Sequence, residues 1–364
     1  MTGPPADPDA ERARSLVLRH GWNVTAYQIL NPGIAYWFSA AGDAVVGFAH
    51  RRGVYVVAGA PVCAADRLPA VVAEFEREMR ANGGHVCYFG AGERLEGLLR
   101  GDPSRAVLLL GANPEWDPAA WPAIIAGRAS LRAQLHRAAN KGVAVREWSA
   151  ARARNHPDLW RCLREWGATR GLPPMKFLVE PRTLARLEDR RVFVAARAPD
   201  GVLGFLVASP IPQRRGWLVE QLIRGRTAPN GTNELLLDHA MRALSADGAR
   251  IVTLGLSPLS QRSGLDEKVN PAWLRWVLTW VRAHGRRFYN FDGLDAFKAK
   301  FGPQRWEPEY AIADGRRALP RTLFAIAAAF SGGSPLWFVA RAMLGAAHTE
   351  AVWALESVRD TIRR

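Results

Sequence analysis

The stretch Leu254-Gly-Leu-Ser-Pro-Leu-Ser260 decides the fold, because an apolar strand here runs into a glycine and a proline that let its backbone splay open. Further along come Tyr289-Asn-Phe-Asp-Gly-Leu294, Phe297-Lys-Ala-Lys-Phe301 and Trp306-Glu-Pro-Glu-Tyr310. In order these read as a strand, a short helix with two lysines, and a closing strand, which together form a basic pocket at a sheet edge. Asn290, Phe291, Asp292 and Gly293 supply the turn, and Trp306, Pro308 and Tyr310 pack the closing strand. Upstream, residues 192–197, 201–209 and 216–224 read as three strands joined by tight turns, one at Pro199-Asp-Gly201. A helix over 232–246, a strand over 250–256 and a helix over 272–284 complete this half.

The first half repeats the alternation. Residues 44–49 and 53–59 are β-branched runs around His50-Arg-Arg52, the pattern of a hairpin, and Gly59-Ala-Pro61 marks a second hairpin turn. Leu68, Val71, Val72, Phe75 and Met79 recur at helical spacing, followed by strands over 85–89 and 107–110. Alternating strands and helices define an α/β class. Residues 119–140 read as a long helix whose Arg128, Arg132, His136, Arg137 and Lys141 fall on or near one stripe, able to follow a phosphate backbone or simply to face solvent.

A net charge of +15, carried mainly by arginine, makes polyanions the expected partners: a nucleic acid, an anionic bilayer, or both. An arginine-rich genome gives the same bias. Cys63, Cys87 and Cys162 have no spacing that suggests a disulfide framework or a zinc site. The N-terminus lacks the apolar core of a secretory signal. The apolar segment 323–347 is broken by Gly332-Gly-Ser-Pro335 and carries Arg341, so it reads as two helices and not one span. These helices either lie in a membrane interface through Phe330, Leu336, Trp337 and Phe338 or pack on the protein body.

The motifs around 217–224, 230–231, 254–260, 289–301 and 306–310 resemble the C-terminal catalytic domain of the bacterial phosphatidylglycerol lysyltransferases and alanyltransferases. The resemblance extends over about residues 20–315 and is strongest from 190 to 312. It implies two tandem GNAT-like acyltransferase domains with mixed sheets, at 1–118 and 151–316. A connecting helix over 119–150 joins them, and a helical extension follows over 317–364. It also implies transfer of an amino acid, of lysine or alanine type, from aminoacyl-tRNA to phosphatidylglycerol by direct attack in a ternary complex. No cofactor is expected, and the setting is cytoplasmic with peripheral contact on the inner membrane face.

The candidate catalytic residues are Glu220, Gln221, Arg224 and Glu234. Strand alternation puts Glu220 and Arg224 on one side as a pair, Gln221 stands where the family has an acid, and Glu234 matches the family's acid after Asn-Gly and would grip the amino group. A bulge that shifted the strand phase would let Glu220 take the acid's place. Lys298 and Lys300 are expected to bind a phosphate, with Asn230 and Gly231 as an anion nest at a helix start and Ser257 and Ser260 as donors to a carbonyl. Neither serine has the His-Asp partners of a triad. Arg128, Arg132, Arg137 and Lys141 are the expected tRNA contacts. The loop Arg224-Gly-Arg-Thr-Ala-Pro-Asn-Gly-Thr232 lacks the glycine pair of acyl-CoA users. Two alternatives stay open: a soluble relative that charges a hydroxylamine or other small metabolite, and a non-catalytic tRNA- or membrane-binding module.

Overall fold

The computed structural model describes residues 7–169, 175–265, 270, 271, 275, 290–315 and 319–334. Helix α1 (Pro8–His20) is capped by Asp7, whose carboxylate accepts from the Asp9 amide. Strands β1 (Ala35–Phe38), β2 (Val45–Arg51) and β3 (Val54–Ala58) follow, then α2 (Leu68–Ala81), β4 (His85–Ala91), α3 (Glu93–Leu99) and β5 (Arg105–Trp116). Next come α4 (Trp121–Ala126), α5 (Ala129–Asn140), β6 (Ala144–Trp148), α6 (Ala150–Arg154) and α7 (Pro157–Ala168). The second half contains β7 (Arg191–Arg197), β8 (Gly201–Ile211), β9 (Gly216–Arg224), α8 (Thr232–Ala246), β10 (Ile251–Thr253) and β11 (Ser257–Pro258). Helix α9 (Phe291–Ala299), β12 (Arg305–Asp314) and α10 (Leu319–Ser331) close the described chain.

The strands form one mixed sheet in the order β1-β2-β3-β4-β12-β5-β10-β9-β8-β7-β6, with β11 paired to β5. Each half contains one parallel pair joined through a helix: β3 with β4 through α2, and β9 with β10 through α8. The long strand β5 joins the halves. It pairs with β12 along its length, and at its end Glu115 and Trp116 meet Thr253 and Val252 of β10. Gly111 of β5 is required here, since a Cβ on it would lie 2.2 Å from the Ser257 carbonyl oxygen. Helix α2 packs on one face of the first half through Val71, Phe75 and Met79, and α10 covers the other through Ala325, Ile326 and Ala329. In the second half α5 and α8 cover one face and α7 the other.

Several sequence expectations change. Residues 305–314, assigned above to the second unit, pair with β4 and β5 of the first, so the boundary at 118 does not separate two sheets. Residues 119–150 are not one helix: the chain breaks at Gly127 between α4 and α5, and Ala144–Trp148 forms the edge strand β6. The chain does not turn back at Gly59-Ala-Pro61; it climbs into α2 and returns as a parallel strand. Asn290 is the N-cap of α9 and accepts from the Gly293 amide, so 291–293 form a first helical turn. Helix α10 packs on the body, while the rest of the apolar segment from 335 on, the helix expected over 272–284 apart from Arg275, and the strand residue Tyr289 lie outside the described residues. Among the described residues no helix is long and apolar enough to cross a membrane.

Candidate active site

Strands β9 and β10 run side by side only over Gly216–Leu218 and Ile251–Thr253. Beyond that point β9 stays with β8 as far as Arg224, while the other strand turns through Gly255, at φ +69, to pair with β5 as β11. Lys298 of α9 fills the resulting fork. Its Nζ donates to the carbonyls of Gly255 at 2.7 Å and Leu256 at 2.8 Å, satisfying backbone oxygens that the splay frees from the ladder. Burial pushes this ammonium down to about 7, against the pull of Glu309 and Asp295. One turn back on α9, Asp295 accepts from Ser257 Oγ at 3.2 Å and from Arg262 Nε at 2.6 Å. Burial raises the Asp295 carboxyl, but hydrogen bonds from Ser260, Arg262 and Ser257 outweigh it and leave the group below its ordinary range.

Glu309, only 2% exposed, lies on the neighbouring β12. Burial pushes its carboxyl up to about 7, with Glu307 adding to the rise and Asn113 and Lys298 opposing it. Its Oε2 has no hydrogen-bond partner among the described residues. A Cβ on Gly90 would lie 2.9 Å from Glu309 Oε1, which accounts for glycine there. Next to it, Arg214 donates to Glu115 at 2.6 Å and to Glu307 at 2.8 Å. The two carboxylates push each other apart in acidity: burial and Glu307 push Glu115 up to about 8, while Glu307, although buried, is held low by Glu115 and Arg214. The junction of the two halves thus holds a buried set of acids with two cations.

Sequence reasoning missed Asn113, Glu115, Arg214, Glu307 and Glu309. The signal was present in Glu307-Pro-Glu309: two acids at strand spacing inside an apolar run share one face. The reading above followed Trp306, Pro308 and Tyr310, which is the opposite phase of the same strand.

The predicted residues fall into separate groups. Glu234 and Lys300 form an ion pair, and the Lys300 ammonium lies 4.3 Å from the centre of the Phe297 ring. Lys298 and Lys300 therefore do not converge on one phosphate, because two residues on a helix project in different directions and each has its own partner. Ser257 and Ser260 join Lys298 through Asp295.

Glu220 sits in a bulge of β9 against β8, where Val219 pairs with Ala208 and Gln221 with Val207. The phase changes there, so Glu220 and Arg224 do not pair. Glu220 instead accepts from Gln28 Nε2 at 2.6 Å and from Arg190 Nη2 at 3.2 Å, while Arg224 donates to Asn230 Oδ1 at 3.2 Å. Gln221 donates to the carbonyls of Glu180 and Pro181. The anion nest at Asn230-Gly231 is covered, since a Cβ on Gly231 would come 2.1 Å from the Gln134 carbonyl oxygen of α5.

On α5, Arg132 donates to carbonyls at the end of α4, and Arg128 donates to the Lys300 carbonyl at 3.4 Å. Both act as helix C-caps. His136, Arg137 and Lys141 are exposed. The three cysteines are buried free thiols, and burial pushes Cys63 and Cys162 up to about 11. Among the described residues no group of three or more His, Cys, Asp or Glu could hold a metal ion.

The family model described as phosphatidylglycerol lysyltransferase, C-terminal, matches residues 14–313. A phosphatidylglycerol lysyltransferase of Bacillus subtilis is 23% identical over 334 residues, covering 89% of this chain, which spans 37% of that relative's length. Two solved structures superpose with a TM-score of 0.73. One is the C-terminal domain of a putative lysylphosphatidylglycerol synthetase from Agrobacterium fabrum, at 24% identity over 89% of this chain and 98% of that one. The other is L-PGS from Bacillus licheniformis, at 21% identity over 90% and 97% of the two chains. FemX shares the fold at a TM-score of 0.57 and 10% identity, over 89% of this chain and 99% of its own. With its mixed sheet forked at β9 and β10, this chain belongs to the phosphatidylglycerol lysyltransferase C-terminal family.

Proposed function

We propose that the chain transfers an amino acid from aminoacyl-tRNA to the head-group hydroxyl of phosphatidylglycerol. The observation that carries this reading is the buried Lys298 ammonium in the fork, electrostatically coupled to the Glu309 carboxylate, whose buried second oxygen has no hydrogen-bond partner among the described residues. Such a pair suits transesterification. Glu309 takes the proton of the attacking hydroxyl as the new ester C–O bond forms, and the Lys298 charge steadies the oxyanion of the tetrahedral intermediate. The bond to the tRNA 3′ oxygen then breaks, and that oxygen receives the proton. A general base whose pKa lies near neutrality is matched to the task.

Membership of the family supports a lipid acceptor, and the exposed His136 and Arg137 on α5, with Lys141 at its C-terminal end, supply charge for a nucleic-acid backbone. The approach of α5 to Gly231 argues against an acyl-CoA pyrophosphate at the start of α8. The reaction belongs at the cytoplasmic face of the membrane, where both substrates meet. The test is incubation with charged tRNA pools and phosphatidylglycerol vesicles, with lipids analysed by mass spectrometry. Aminoacylated phosphatidylglycerol that disappears on ribonuclease treatment is expected; intact charged tRNA beside unmodified lipid overturns the reading.

A further inference from the structure

In the first half, a shallow surface cleft, open to solvent, lies where the ends of β3 and β4 part. Its floor is apolar, formed by Pro61, Val62 and Leu68, and its walls carry Trp22, Arg94 and Glu307. The carboxylates in the walls already have cationic partners: Glu93 pairs with Arg305, and Glu307 with Arg214. Arg94 differs. Its Nη2 is buried without a hydrogen-bond partner among the described residues, and its guanidinium lies 5.6 Å from the centre of the Trp22 ring.

Arg94 has no ion-pair partner among the described residues while the acids of the lining are matched, so an anion is the ligand whose charge suits it. The surroundings select the kind of anion. Trp22 and Leu98 are among the few large apolar side chains exposed on the described surface, at 42% and 40%. Leu98 stands one helical turn from Arg94 on the same face of α3, outside the cleft lining itself. An exposed indole beside an exposed leucine and an arginine is the chemistry of a membrane interface, not of a nucleic-acid groove.

We propose that this cleft binds the phosphodiester of an anionic lipid head group through Arg94, with Trp22 and Leu98 entering the bilayer surface. The polyol beyond the phosphate then points toward Glu307 in the inner wall, the edge of the buried acid set. Of the two cations in the cleft lining, Arg214 is already paired with Glu115 and Glu307, which leaves the phosphate to Arg94. The assignment rests on the lipid-acceptor reading, but its test measures binding and not turnover.

The full chain is sedimented with phosphatidylglycerol/phosphatidylcholine vesicles and with phosphatidylcholine alone, and titrated calorimetrically with soluble glycerophosphoglycerol. Arg94→Gln is expected to weaken binding to the anionic vesicles about tenfold and to abolish saturable binding of the soluble head group. Trp22→Ala weakens vesicle binding and spares the soluble ligand. Arg164→Gln, an equal loss of charge at an exposed position of α7, serves as the control. Arg94→Lys, which keeps the charge without the fork, guards against a folding defect and falls between wild type and Arg94→Gln. Equal losses in Arg94→Gln and Arg164→Gln overturn the proposal, and so does loss of charged-tRNA binding in Arg94→Gln with vesicle binding intact. Head-group binding that depends on Arg94, without any aminoacylated lipid formed, retains the cleft and rejects the transfer reading.

Discussion

Replacing Glu309 by glutamine tests the site through a stability that changes with pH. The Glu309 carboxyl rises from 4.5 to about 7 on folding, and at 1.36 kcal/mol per pKa unit this corresponds to ~3 kcal/mol. The folded protein binds the extra proton between those values. Stability therefore falls as pH rises from 4.5 to about 7 and is level above. Glutamine keeps the volume and a hydrogen bond with Asn113 but does not titrate. At pH 5 the two proteins should be nearly equal in stability, whereas at pH 8 Glu309→Gln should be the more stable by ~2–3 kcal/mol. Lys298 titrates in both and largely cancels in the difference. Urea unfolding at the two pH values gives the stabilities, and transfer assays on the same preparations should show a loss of about 10²- to 10⁴-fold. A stability difference that is the same at pH 5 and pH 8 would refute the burial argument. Undiminished transfer would remove Glu309 from the chemistry.

Arg214→Met should lower stability by about 3–5 kcal/mol near neutral pH, because it leaves Glu115 and Glu307 buried without their cation; chemical denaturation measures this, and the deficit should shrink in acid as both become protonated. Gly231→Ala should cost ~2–3 kcal/mol through the positive φ and the clash with the Gln134 carbonyl, seen as a lower thermal midpoint. The double change Arg137→Glu, Lys141→Glu should weaken binding of charged tRNA and reduce its salt dependence by roughly two phosphate contacts, leaving stability within about 0.5 kcal/mol. Arg132→Glu, by contrast, should destabilise the fold through the lost cap on α4, by ~1 kcal/mol.

Local periodicity made much of the fold legible. The β2–β3 hairpin, α2, β4 and the run from β7 through α8 all carry their pattern within a few residues. Strand partnership over long distances does not show in that way. Nothing inside 305–314 says that it lies between β4 and β5, because its nearly continuous apolar character fits any buried strand. The break at Gly127 was visible, yet a basic stripe at helical spacing on both sides of it outweighed one glycine. The helical spacing also hid that Arg128 and Arg132 are spent on the ends of α9 and α4.

The same distinction decides which site residues could be read. Asn230, Gly231, Glu234, Lys298 and Lys300 attract notice as motif members, but their partners come from α5, from β10 and from each other, and those partners set what each can do. Lys298 shows this most clearly. As one of two lysines near a strand end it reads as a surface phosphate ligand. Once the strand end is known to splay, two freed carbonyls require a buried donor, and the lysine becomes a structural support of the fork as well as its charge. The opening announced by Gly255 and Pro258 and the lysine that fills it are then one feature. An open fork costs backbone hydrogen bonds, and a residue that repays them with an ammonium also leaves a positive charge where an acyl group would react.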